Sequence, residues 1–108
     1  MLNENSYIGR DNSTDLLLEA DNVAIDATVL TRAVVNLKSD TGSLDVDSDV
    51  EATLFDFTTG GGVVKIKLGL AIGVAVDEYQ AKLTIYDASN TQGIVWGDPF
   101  NLSMQAAP

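Results

Sequence analysis

Tyr79-Gln80-Ala81-Lys82-Leu83-Thr84-Ile85-Tyr86 alternates apolar and polar side chains until its last position. A β-strand turns successive side chains to opposite faces, whereas a helix would scatter these residues around its axis. The spacing therefore predicts a strand over 79–86. Tyr79, Ala81, Leu83 and Ile85 face a core; Gln80, Lys82, Thr84 and Tyr86 face outward.

The same period runs through the rest of the chain. Over 63–68 (VVKIKL), Val64, Ile66 and Leu68 point inward and Lys65 and Lys67 outward. Over 29–38, Val29, Thr31, Ala33, Val35 and Leu37 share one face, while Arg32, Asn36 and Lys38 share the other, which Val34 interrupts. Shorter strands are predicted over 14–19 (Leu16 and Leu18 inward), 43–46, 52–57, 94–96 and 100–104. Turn-forming residues separate them: Asp21-Asn22, Ser39-Asp40-Thr41-Gly42, the glycine-rich loop 58–62, the loop 87–93, and Gly97-Asp98-Pro99. About eight short strands at such intervals predict an all-β antiparallel β-sandwich, immunoglobulin-like or jelly-roll, over 14–108. Residues 1–13 are polar and read as an N-terminal arm. Residues 70–76 (LAIGVAV) fit either a buried strand or a short helix.

Composition narrows the chemistry. The 108 residues make one domain with enough material for a core. Cysteine and histidine are absent, which excludes disulfides and thiolate metal sites and removes the commonest general base and metal ligand. Sixteen acids against six bases give a net charge of −10, so phosphate backbones are repelled and nucleic acid is not an expected partner. The longest apolar run is broken by Lys65 and Lys67, so no membrane span is expected. The start of the chain lacks the basic and apolar segments of a secretory signal, so the chain is expected to be made in the cytoplasm and to stay, or be assembled into something, there. No cofactor is expected.

Asp45-Val46-Asp47-Ser48-Asp49-Val50-Glu51 begins like a calcium loop. That chemistry needs glycine at the sixth position and a bidentate acid at the twelfth, where Val50 and Asp56 stand. The stretch reads as a solvated acidic strand edge, with Asp45, Asp47 and Asp49 the residues that an ion would use. Gly60-Gly61-Gly62 runs into a strand rather than into G-K-[ST] and a helix, so it reads as a hairpin loop. Carboxylates abound, but a chain of this length has little material for a substrate groove, and catalysis is not expected. The Tyr79 hydroxyl is expected to reach backbone at a sheet corner, and Trp96 to share the core with Ile94. Arg32, mid-strand on the outer face, needs a carboxylate across the sheet or across a subunit boundary. The interface candidates are Tyr7, Arg10, Arg32, Asp47 and Tyr86.

The chain resembles small structural proteins of tailed bacteriophages and, more loosely, the immunoglobulin-like N-terminal domain of phage baseplate upper proteins. The residues that carry the likeness begin with Ile8-Gly9-Arg10-Asp11-Asn12, Asp15-Leu16-Leu17-Leu18 and Thr31-Arg32. They continue with Asp47-Ser48, Leu68-Gly69, Tyr79, Leu83, Tyr86-Asp87 and Gly93-Ile94-Val95-Trp96, before Phe100 and Leu102. The likeness runs over nearly the whole chain. It departs at Asp77-Glu78, where such domains usually place a glycine ahead of the late tyrosine. The resemblance implies a virion protein without an active site. The expected placement is the head surface, as a decoration or cement protein. It would act as a symmetric homo-oligomer, a trimer among the candidates, in contact with the major capsid protein. The alternatives are a tail fibre or baseplate adaptor, and a carbohydrate-binding module that uses Tyr86 and Tyr7.

Overall fold

The computed structural model describes residues 3–108, with Asp98 as backbone only. It is all-β, with ten strands and three short 3-10 turns among the described residues. The strands are β1 (Asn3–Tyr7), β2 (Thr14–Leu17), β3 (Glu19–Ala20), β4 (Val23–Ala24), β5 (Arg32–Ser39), β6 (Gly42–Asp47), β7 (Phe55–Asp56), β8 (Val63–Ile66), β9 (Asp77–Tyr86) and β10 (Ile94–Gln105). A five-stranded sheet has the order β1-β10-β9-β5-β6, and a three-stranded sheet the order β2-β8-β7. The pair β3-β4 is a small separate hairpin.

The period-two reading places the core. Ala33, Val35, Leu37, Ala81, Leu83 and Ile85 are buried on the inner face of the five-stranded sheet, and Leu16, Val64 and Ile66 on that of the three-stranded sheet. All belong to one apolar cluster, so the two sheets enclose a single core. A fully buried leucine or valine contributes about 1.5–3 kcal/mol, which is why the alternating stretches dictate the architecture. Asp21 and Asn22 make the expected tight turn: φ is +53° and +64°, as a two-residue hairpin turn requires. The Tyr79 hydroxyl donates to the Ala75 carbonyl at 2.9 Å and accepts from the Ala75 N–H at 3.3 Å, so the tyrosine does reach backbone at the sheet corner.

Five expectations are corrected. The large sheet is mixed rather than antiparallel, because β1 runs parallel to β10 from Asn3↔Asn101 to Tyr7↔Gln105. Asn3–Tyr7, expected within a polar arm, is thus a sheet strand. Its inward residues are Glu4 and the fully buried Ser6, and a strand held by its ladder needs no apolar alternation. The strand expected over 29–38 begins only at Arg32. Residues Ala27–Val29 form a 3-10 turn capped by Asp26, whose side chain accepts from the Thr28 N–H, so Val29 and Thr31 are exposed. Half of the strand expected over 52–57 is the 3-10 turn Ala52–Leu54, and only Phe55–Asp56 pair.

The fifth correction concerns 70–76, which is neither strand nor helix. A 3-10 turn at Leu68–Leu70 leads into an irregular loop whose Gly73 has φ +83°. Gly69 is the middle residue of that turn, and a Cβ there would lie 2.0 Å from the Tyr7 carbonyl oxygen. Only glycine allows this approach, which the Gly9 N–H to Gly69 C=O bond of 2.9 Å fastens. Trp96 is half-buried against the core, and Ile94 is 36% exposed, so the expected core pair is only partly sequestered. The β10–β9 register shifts between Trp96 and Phe100, where Gly97 takes φ +69°.

Candidate functional site

Three of the five interface candidates meet at one corner of the outer face of the large sheet. Arg32 on β5 lies opposite Tyr86 on β9, and its guanidinium carbon sits 4.7 Å from the ring centroid. Val34, two residues on, lies opposite Asp47 on β6, which brings that carboxylate level with the guanidinium. Arg32 Nε donates to Asp47 Oδ1 at 2.9 Å and Nη2 donates to Oδ2, a two-pronged contact that fits guanidinium to carboxylate. Asp49 approaches Nε at 3.4 Å, and its N–H donates to Asp47 Oδ1 at 2.9 Å. The Arg32 hydrogen bonds hold the Asp47 carboxyl below the usual carboxylate range, against the opposing effect of burial. The same contact raises the Arg32 pKa. Beneath the corner, Ser48 Oγ accepts from the Ala33 N–H at 2.9 Å and the Ser48 N–H donates to the Ala33 carbonyl at 3.0 Å, closing the end of the β5–β6 ladder.

Tyr7 and Arg10 lie at the opposite corner. Tyr7 pairs with Gln105, and its carbonyl accepts from the Arg10 N–H at 3.2 Å. The Arg10 guanidinium is exposed and donates to the Pro108 carbonyl at 3.4 Å. The five candidates therefore do not form one site. A broad polar trough of about 970 Å³ lies on this side of the sheet, lined by side chains such as Asn3, Gln80, Asn101 and Ser103. Its amides satisfy one another in part: Asn101 Nδ2 donates to Asn3 Oδ1 at 2.9 Å, and Gln105 Nε2 to Asn5 Oδ1 at 3.3 Å.

The acids of 45–51 are dispersed among different partners. Asp45 accepts from Asn36 Nδ2 at 2.7 Å, Asp47 and Asp49 serve Arg32, and Glu51 Oε1 accepts from the Ile72 N–H at 3.1 Å. Among the described residues, no group of three or more acids is placed to hold a metal ion.

The Glu51 contact marks a surface that sequence reasoning missed. It ties the Val50 turn to the 70–76 loop, and both carry bare aliphatic side chains. Val50 is 76% exposed, Ile72 74%, Val76 60% and Leu70 38%. In sequence, LAIGVAV is indistinguishable from core; in the structure Ala71 is buried and Val74 packs against the core, while Leu70, Ile72 and Val76 stand exposed outside both sheets.

No protein-family model, curated protein or solved structure matches the chain.

Proposed function

We propose that this chain is a contact-making structural domain of a tailed-phage virion, placed first on the head as a decoration or cement protein and acting as a homo-oligomer with the major capsid protein as neighbour. The observation that carries a contact role is the bare aliphatic surface of Val50, Leu70, Ile72 and Val76 on a chain of charge −10. Large apolar side chains exposed on a turn and on the loop hydrogen-bonded to it offer a surface that another molecule can cover. The virion setting rests on the resemblance of the sequence to phage structural proteins.

We read the sandwich as immunoglobulin-like rather than jelly-roll. Three features support this: a first strand parallel to the last, the order β1-β10-β9-β5-β6 facing β2-β8-β7, and the Tyr79 hydroxyl bonded four residues upstream. A sugar-binding role through Tyr86 is disfavoured. Arg32 covers one face of its ring, and a Cβ at Gly93 would lie 2.7 Å from Cε2, so the ring is packed rather than offered as a platform.

Immunogold labelling of purified virions with an antibody to this chain tests the reading. Gold over the heads supports decoration. Gold at the neck or tail tip replaces it with the fibre or baseplate-adaptor role. Particles that stay unlabelled, before and after mild dissociation to expose covered epitopes, overturn the virion reading.

A further inference from the structure

β2 forms one edge of the three-stranded sheet and, among the described residues, pairs with β8 alone. The Leu18 N–H donates to the Gly62 carbonyl at 2.8 Å, which sets the alternation of the antiparallel ladder. Leu16 and Thr14 therefore turn their main-chain groups to β8, and Asp15 and Leu17 turn theirs to the open side. Beside that edge, between β2 and the β1–β10 pair, runs a cleft of about 590 Å³. Its depth is apolar: Leu18, Leu83 and Phe100 are buried there, and the half-buried Trp96 lines it. Leu17 stands at its mouth 55% exposed. Glu4, Asp15 and Glu19 supply the acidic part of the lining, and the nearby cation Lys65 is already engaged with Asp15 at 3.4 Å.

We propose that this cleft takes an extended segment of a partner protein, rich in basic and large aliphatic residues, which adds as a strand to the free edge of β2. Each part of the chemistry has its source. The N–H and C=O groups of Asp15 and Leu17, which turn away from β8 and have no backbone partner among the described residues, select an extended main chain. The apolar depth beside Trp96 selects aliphatic side chains, and the three carboxylates select lysine or arginine next to them. A second copy of this chain fits poorly, because it brings ten net negative charges to an acidic cleft. The inference deepens the assembly reading by naming the chemistry of a neighbour, and it concerns a surface different from the aliphatic loop.

Trp96 is the single tryptophan, so its fluorescence reports the cleft directly. The full chain is titrated with the peptide acetyl-KLKVKLK-amide, with the acidic counterpart acetyl-ELEVELE-amide, and with the basic peptide N-methylated at every residue. The proposal expects a saturable change with the basic peptide alone. It expects several-fold weaker binding to the doubly substituted Glu4→Gln, Glu19→Gln chain, and loss of the electrostatic part at about 1 M salt, where the screening length is only ~3 Å. No saturable response up to about 1 mM peptide overturns it. An equal response to the acidic peptide overturns the charge argument, and equal binding of the N-methylated peptide overturns strand addition. A negative titration on a chain that still labels virions removes the cleft and leaves the virion reading standing.

Discussion

β5 and β2 carry the same alternation of buried and exposed residues but sit in different surroundings. β5 lies inside the large sheet, paired with β9 along seven positions and with β6 along six, so its main-chain groups are used on both sides. β2 is four residues long, pairs on one side only among the described residues, and ends against a cleft. Its burial comes from Leu16 and the following Leu18, not from a continuous ladder. The large sheet is therefore a scaffold whose polar outer face is tied down by Arg32, Asp47 and Asn36. The small sheet is held to it by side chains and leaves an edge free. Rigidity and the capacity for new contacts are thus assigned to different halves of one core.

The largest test of this contrast is a pair of truncations. Leu37→Ala in β5 and Leu18→Ala beside β2 both remove fully buried side chains, and each is expected to cost about 2–5 kcal/mol in denaturant unfolding. Leu18→Ala should lie toward the low end, because a sheet held on one side collapses more easily onto the space. Equal losses at the upper end would show the small sheet to be as stiff as the large one. Gly69→Ala drives a Cβ into the Tyr7 carbonyl, and separating β1 from the turn is expected to cost about 1–3 kcal/mol or more. An unchanged melting temperature would mean that this close approach is not needed. Tyr79→Phe removes the two Ala75 hydrogen bonds and is expected to cost about 1 kcal/mol, which a chemical melt resolves.

The smallest effect is the acid dependence of the Arg32–Asp47 corner. The Asp47 pKa is depressed on folding, so its stabilisation is complete above the unfolded value of 3.8 and is lost as the pH falls through the lower, folded value. Unfolding followed from pH 6 to pH 2 should show a shallower acid-side decline for Asp47→Asn than for the unaltered chain. Identical slopes would show that the pair does not couple to folding.

Much of this fold was legible in sequence. The alternation over 63–68 and 79–86 identified the inward residues correctly, and Asp21-Asn22 marked its hairpin. Arg32 was singled out because an arginine on a polar sheet face needs a carboxylate, and Asp47 on the neighbouring strand supplies it, although Arg32 opens β5 rather than lying mid-strand; Asp47 and Tyr86 were noticed on other grounds, as an acid of a calcium-like stretch and as an outer-face aromatic. Three features were hidden. Asn3–Tyr7 pairs through its backbone, which leaves no apolar pattern to read. Residues 70–76 look like core throughout, yet only Ala71 and Val74 pack inward, because hydrophobicity does not say which apolar residues of an irregular loop find partners. The cleft beside Trp96 depends on how two sheets part at one side, a tertiary property to which no single segment points.

Amide hydrogen exchange, read residue by residue on the free chain, tests most directly whether β2 keeps an open edge. The Leu18 amide and those of Val35 and Leu37 should be strongly protected, while the Asp15 and Leu17 amides exchange close to the rate of an unstructured peptide. Protection of Asp15 and Leu17 equal to that of Leu18 would show that the edge is already covered and would contradict the account.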